Sequence, residues 1–432
     1  MINKDNPVKH YTYNLTEYSY GKNFLPENIK ELKYLLKKKK NILLKTGGCG
    51  HGDKSSLKKN CNIVSLKKFN HILKLDKKQN FVTVQTGISL MDLVKKLKQE
   101  GYYIFNIPGG PNVSLGGAIA GNVHGRISNK SYPNFGDNVH SFKIIDNNFK
   151  IKNITRKNKF FYSVIGSLGY YGIIIEAKLK IHKIQNYFYL EKNHNISSKK
   201  QFLDFDKKNR KYFGYLNYFS KKIELNVNTI SPLKIKTKDK SFAKIKKIKL
   251  PNLMWLFVNK YTLYFLYFFL FRLKRLLFIK KKNKISLEKT IYISQYISAL
   301  PSFFKNGFLE IQFCISKNRL LKIIYKIINL IKLNKVFPIF FIIKKLDKSK
   351  QKYCFNFPIY NHSISLGFSK KQFTENNLFF LKLYDYLNEN NCNLYITKDE
   401  LFSLFLDKKY INEIKFKQKK SNYNFSNFIN KF

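Results

Sequence analysis

Pro108-Gly-Gly-Pro-Asn-Val-Ser-Leu-Gly-Gly-Ala-Ile-Ala-Gly-Asn-Val-His-Gly125 is the stretch on which the reading of this chain turns. Six of the chain's 20 glycines fall within it. Main chain without side chains lets a ligand approach closely, and residues 118–120 are compatible with a short helix. His124 stands between Val123 and Gly125, a polar ring set among small residues.

Upstream, residues 41–46 read as a short strand that runs straight into Gly47-Gly48-Cys49-Gly50-His51-Gly52-Asp53-Lys54-Ser55. Three motifs fail here. A P-loop needs glycine directly before Lys-Ser, and Asp53 stands there instead, where its carboxylate would repel phosphate. A Rossmann fingerprint needs a third glycine three residues after Gly50, and Asp53 holds that place too. A Cys49/His51 metal pair has no further ligand nearby. Consecutive glycines after a strand can still form a nest of N–H groups that suits an anion. Downstream lies a third cluster, Gly166-Ser-Leu-Gly169-Tyr-Tyr-Gly172-Ile-Ile174. It is not a nucleophile elbow, since Gly166-Ser167 lacks the intervening residue. Glycine-rich strand exits repeated in one domain predict a large phosphate-bearing cofactor lying across them.

The surrounding pattern is mixed α/β. The first residues read as a polar arm. Ile29, Leu32, Leu35 and Leu36 fall at helical spacing within residues 26–40, and residues 61–66 and 81–86 read as strands. Ser89 and Asp92 resemble a capping pair opening a helix over 90–100, closed by Gly101. Residues 139–145 and 173–181 complete the strands. Beyond residue 183 glycine becomes rare, and lysine-rich connectors separate apolar blocks at 254–278, 308–315, 320–331 and 336–343. That change marks a second α+β domain, and no internal repeat is evident.

Taken together, the loop at 47–53, the segment at 108–125, Phe-Gly-Asp-Asn-Val-His-Ser-Phe-Lys-Ile-Ile at 135–145 and the run at 169–181 resemble the FAD domain of the vanillyl-alcohol oxidase (PCMH-type) family. Within that family they look most like decaprenylphosphoryl-ribose 2-oxidase-like proteins. The resemblance covers about 140 residues in order, and the C-terminal Tyr395-Ile-Thr-Lys398 is similar to the family's Tyr-x-x-Lys element. It implies an α+β fold: a PCMH-type two-subdomain FAD-binding domain over residues 1–183, and a substrate-binding domain with an antiparallel sheet and helices over 184–390. A segment over 391–432 then returns to the FAD domain. It also implies FAD contacts at Gly47, Gly48, Cys49, Gly50, His51, Gly52, Asp53, Gly109, Ser114, Gly116, Gly117, His124, Gly125, Ile174 and Tyr395. Lys398 and His124 are the implied catalytic residues, and Gln312, Lys344 and Lys398 the implied substrate contacts. The strand beginning at Glu310 departs from the family, which more often has glutamine at that first position. Covalent members attach the flavin through a histidine where Cys49 stands here, and the subfamily carries tyrosine where His51 falls. Non-covalent FAD is therefore the expectation.

Composition bears on partners. Lys+Arg total 81 against 26 Asp+Glu, a net charge of +55. Such charge first suggests nucleic acid or an anionic membrane. Only six of the 81 are arginine, the residue whose planar fork suits phosphate and base recognition. Lys, Asn, Ile, Phe and Tyr all have A+T-rich codons, so most of the charge reads as genomic background, and no nucleic-acid partner is expected. The five cysteines form no CxxC pair, so neither a zinc site nor a disulfide scaffold is expected. The N-terminus shows no secretory apolar region. In residues 250–280 the longest uncharged run is 261–271, 11 residues, short of the roughly 20 that span a bilayer. With its flanking cations this stretch reads equally as a helix lying at a membrane interface or as a buried helix ending in a solvated loop.

The resemblance implies an FAD-dependent oxidoreductase that passes hydride from a sugar's secondary carbinol to flavin N5. The expected substrate is the 2′-hydroxyl of a polyprenyl-phosphate-linked furanose, with an NAD(P)H-dependent short-chain reductase completing an epimerisation in cell-envelope polysaccharide biosynthesis. The expected location is cytoplasmic, with peripheral contact at the inner membrane face. Two other readings compete: an aldonolactone or alditol oxidase of the same fold, and a non-catalytic polyanion-binding protein.

Overall fold

A computed structural model describes residues 4–16, 18–47, 60–110, 113–126, 129–146, 148–234, 239–242, 250–251, 253–273, 282–292, 300–351, 353–354, 356–395 and 397–398. Three sheets organise it. The first has the order β1-β2-β4-β3, from β1 (Lys4–Tyr11), β2 (Tyr18–Phe24), β3 (Ile42–Lys45) and β4 (Asn62–Ser65). β1 and β2 form an antiparallel hairpin, while β4 runs parallel to both β2 and β3. The sequence reading took this N-terminal hairpin for a polar arm. The helix Ile29–Lys38 covers the sheet, capped by Asn28, whose side chain accepts from the Glu31 amide at 3.0 Å. It buries Leu32, Leu35 and Leu36 against Phe24, Val64 and Ile175, the spacing that the sequence predicts.

The second sheet is antiparallel with order β5-β6-β10-β8-β9, from β5 (Ile72–Asp76), β6 (Phe81–Gln85), β8 (Val139–Ile145), β9 (Ile151–Thr155) and β10 (Ile173–Lys180). The helix Leu90–Gln99 packs on it, and Ser89 caps that helix by accepting from the Asp92 amide at 3.0 Å. A two-stranded ribbon, β7 (Tyr102–Tyr103) with β11 (His182–Lys183), lies beside it.

Eight antiparallel strands make the third sheet, in the order β15-β12-β14-β13-β17-β18-β16-β19. They are β12 (Phe188–Ile196), β13 (Tyr212–Leu216), β14 (Leu225–Leu233), β15 (Lys282–Ser286), β16 (Phe308–Ile315), β17 (Phe340–Lys345), β18 (His362–Ser369) and β19 (Asn393–Leu394). Alternation along each strand divides its side chains between two faces. Ile311, Phe313, Phe341 and Ile343 join the helices Leu320–Leu333 and Asn377–Glu389 in one core. Glu310, Gln312, Phe340, Ile342 and Lys344 are thereby left on the opposite face, toward the glycine-rich half of the molecule.

Candidate active site

A cavity of about 1110 Å³ lies between the glycine-rich half and that opposite face. Its floor follows from local packing. Thr46, just past β3, meets Ser114 at 2.7 Å between hydroxyl oxygens, and Ser114 caps the short helix Leu115–Ala120. A Cβ on Gly116 would come within 2.7 Å of the Thr46 methyl, so only glycine lets this helix approach the strand end. Gly109, Ser114, Gly116, Gly117 and Gly125 line the cavity, as does Ile174 from the third glycine cluster. Gly47 sits behind Thr46 with φ +127° and does not line it. Gly48, Cys49, Gly50, His51, Gly52 and Asp53 lie outside the described residues.

The roof carries the polar chemistry. Lys398 Nζ lies 2.8 Å from Glu310 Oε1, and the Ser365 hydroxyl donates to the same oxygen. Gln312, fully buried, stands behind the cavity wall; its amide nitrogen lies 3.0 Å from Ser363 Oγ and 3.1 Å from His124 Nε2. With that nitrogen as donor, His124 Nε2 accepts and the imidazole proton rests on Nδ1. Nδ1 is buried and has no hydrogen-bond partner among the described residues. The His124 ring packs 5.0 Å from Phe357 and edge-on to Tyr395 at 4.7 Å.

The C-terminal strand β19 brings the last two residues in. Leu394 pairs with Phe313 on β16, the Tyr395 amide donates to Gln312 O at 2.7 Å, and the Lys398 amide donates to Tyr395 O at 3.1 Å. Thr397 Oγ1 then donates to Gly121 O at 3.1 Å, crossing to the glycine floor. His124, Lys344, Tyr395 and Lys398 thus line one cavity despite their separation in sequence.

Burial shifts these groups. It drives His124 well below the usual histidine range, helped by the charges of Lys344 and Lys398 and opposed by Glu310, so the ring is neutral. Lys344 falls to about 7, by burial first and then by the Lys398 charge, with Arg126 adding to it and Glu310 opposing. Tyr395 is raised by burial and stays a phenol.

Tyr13 and Arg126 are among the cavity residues that escaped the sequence reading. Tyr13, in the turn between β1 and β2, reaches the cavity because that turn is pinned to the roof. The Phe308 amide donates to Asn14 O at 3.0 Å, and Lys370 Nζ to Thr16 O at 2.8 Å. Arg126 follows the glycine segment and bonds Glu191 at 2.7 Å. Aromatic alternation in His-Tyr-Thr-Tyr was the one available signal for the first; one cation in so basic a chain gave none for the second.

Residues 25–155 match the family of FAD binding domains. The chain carries an FAD-binding domain. Over 131 residues this protein is 26% identical to decaprenylphosphoryl-beta-D-ribose oxidase of Mycolicibacterium smegmatis, covering 30% of this chain and 28% of that one. Over 103 residues it is 34% identical to L-gulonolactone oxidase of Scyliorhinus torazame, covering 23% of each. It therefore spans less than a third of either relative's length. Among solved structures, a chitooligosaccharide oxidase superposes with a TM-score of 0.64 at 10% identity, over 90% of this chain and 85% of the other. The fold is thus the PCMH-type one, a two-subdomain half that carries the FAD-binding match joined to a second half built on an eight-stranded antiparallel sheet.

The described residues fit FAD. A pocket for a drug-sized ligand is typically about 300–1,000 Å³, and this cavity is larger and floored by glycines against which a long dinucleotide can lie. His124 Nδ1, buried at the cavity wall and without a partner among the described residues, is a polar atom that such a ligand would satisfy.

Proposed function

We propose that this protein is an FAD-dependent oxidoreductase that oxidises a secondary alcohol of a sugar. The Lys398–Glu310 pair carries the reading: a fixed positive charge held at 2.8 Å in a cavity shared by the FAD-binding domain and the eight-stranded sheet. FAD, when bound, supplies the acceptor for the carbinol hydride. Ser114, Gly116, Gly117 and Tyr395 would hold it without a covalent link. The Glu310 carboxylate, which lines the same cavity, would take the hydroxyl proton, and the Lys398 ammonium beside it would stabilise the negative charge that develops on the substrate oxygen. Neutral His124 holds its proton on Nδ1 and orients an oxygen through it. Phe357 and Tyr395, both buried, keep water from the His124 side.

The 2′-hydroxyl of a polyprenyl-phosphate-linked furanose is the favoured substrate, supported by the likeness to the decaprenylphosphoryl-ribose oxidase. A separate NAD(P)H-dependent reductase would then return the ketone to an alcohol. Aldonolactone oxidation is the competing reading, supported by the likeness to L-gulonolactone oxidase. A cytoplasmic protein resting on the inner membrane face fits the first. In support, the helix Lys260–Phe268 exposes Tyr261 at 81% and Phe265 at 65%, with Leu256 and Phe257 exposed just before it. An apolar surface of this kind beside Lys260 and Arg272 suits anionic lipid. No helix among the described residues is long and apolar enough to cross a membrane.

Purified protein should be yellow, with a flavin spectrum that bleaches under anaerobic addition of the polyprenyl-phosphate-linked furanose. A colourless protein that takes up no FAD would overturn the proposal; bleaching by L-gulonolactone alone would select the competing substrate. Flotation with anionic vesicles should fall sharply on replacing Tyr261 and Phe265 by serine, and unchanged flotation removes the membrane contact.

A further inference from the structure

The charges facing the cavity do not balance. Arg126, Lys344 and Lys398 line it together with Lys45, Lys183 and Lys211, against Glu310, and Glu191 stands just behind. Glu310 is engaged by Lys398 and Ser365. Glu191 is engaged by Arg126 and by the Asn228 amide at 3.3 Å. The Lys344 ammonium has neither an ion pair nor a hydrogen bond among the described residues. Its strand position is fixed by pairing with Phe213 on β13 and Ser363 on β18. Its ammonium lies 5.6 Å from the Phe213 ring centroid, and the Arg126 guanidinium lies 5.4 Å from the same ring. The Lys344 side chain is partly buried and lines the cavity, so its charge is offered to whatever enters, and an arriving anion would neutralise it.

We propose that Lys344 and Arg126 form an anion subsite of this cavity that takes a phosphate ester group of the substrate. This rests on the oxidoreductase reading for what else the cavity holds, and deepens it by assigning the residues that hold the substrate's phosphate. The two cations differ usefully. Arg126 has one edge held by Glu191, which leaves its remaining N–H groups as a planar fork, and Lys344 adds a point charge.

The arginine is held by more than its carboxylate. Asn193 Nδ2 donates to Asn228 at 2.6 Å and to Asn226 at 2.9 Å, and Asn226 Nδ2 donates to Asn195 at 2.6 Å. This ladder of amides across β12 and β14 fixes Asn228, which fixes Glu191. The asparagines are positioning residues; the two cations touch the anion.

The test uses FAD-loaded protein, so that the cofactor's own pyrophosphate is already in place. Inorganic phosphate is titrated by calorimetry into the wild type and into Lys344→Met. The wild type should bind, and the variant should bind at least about tenfold more weakly while melting at the same or a higher temperature, because it loses an unpaired charge rather than a contact. Ribose 5-phosphate and farnesyl phosphate should compete with inorganic phosphate and ribose should not; the better competitor of the two separates a soluble sugar phosphate from a lipid-linked one. Absence of binding to the wild type, or equal affinity in both proteins, overturns the subsite. A changed flavin spectrum in Lys344→Met with an unchanged phosphate isotherm also overturns it, by assigning the lysine to the cofactor. If the protein holds no FAD, the oxidoreductase reading fails separately, and the isotherms on the cofactor-free protein still decide the subsite.

Discussion

Lys344 carries its charge only on the acid side of about pH 7, against about 10.4 for an ordinary lysine. Between those values the unfolded chain binds a proton that the folded protein does not, so this residue's contribution to stability rises with pH across that window and is poorest below pH 7. Lys344→Met should therefore raise the melting temperature most at pH 6 and hardly at all near pH 10. Sulfate, whose charge is constant over this range, should bind more weakly as pH rises through 7 in the wild type and with little slope in the variant. The groups that face Lys344 are Glu310 and Lys398 across the roof, Arg126 beside Phe213, Glu191 behind it, and His124, which is neutral throughout. Lys398 is a separate matter. Lys398→Met should lower the rate of anaerobic flavin reduction by about 10²–10³-fold, the usual cost of one electrostatic donor, while the flavin stays bound. The sequence pointed to Lys398 and His124 because motifs carried them. It could not show that Lys344 lacks a counter-ion, since that depends on which carboxylates the fold assigns to other partners.

At the scale of elements, the glycines were legible and the polar strands were not. The segment at 108–125 announces itself because small residues have few other uses at such density. The packing it serves is specific: a Cβ on Gly121 would come within 2.9 Å of the Thr397 methyl. Gly121→Ala should therefore loosen the C-terminal segment and weaken FAD retention, measured by flavin release on dilution, with little change in secondary structure by circular dichroism. Gly307 is a second such point, with φ +84° and a Cβ position 2.4 Å from Asn14 O. Gly307→Ala should destabilise by roughly 1–3 kcal/mol in chemical denaturation, through strain at the junction of hairpin and roof. By contrast, β12 reads Phe-Tyr-Leu-Glu-Lys-Asn-His-Asn-Ile, with polar residues on both faces. One face meets the amides of β14 and the other meets Phe205, so no apolar period marks it. The β1–β2 hairpin was missed for a related reason. Its tip is held by main-chain carbonyls at Asn14 and Thr16, which any sequence could supply.

Across the whole molecule, the two halves are joined by a buried ion pair. Lys98, on the helix Leu90–Gln99, lies 2.8 Å from Glu288 on the helix Leu287–Ile291, and each side chain is 1% exposed. Removing one partner strands a charge, so Lys98→Met should cost about 3–5 kcal/mol, whereas Lys98→Met with Glu288→Leu should recover most of that. A double-mutant cycle by thermal and chemical unfolding measures the difference. The charge of +55 that dominates the composition contributes little to this architecture; its consequences are local, at the cavity and beside the exposed helix. The pairing of Leu394 with Phe313, and of Thr397 with Gly121, also sets an order of events during synthesis. The cavity draws on Tyr13 near one end of the described chain and on Lys398 at the other. A ribosome will have made every strand of the glycine-rich half long before the residue that closes its ligand cavity leaves the exit tunnel. Nascent chains that still lack the segment at Tyr395 and Lys398 should thus be poor at capturing flavin.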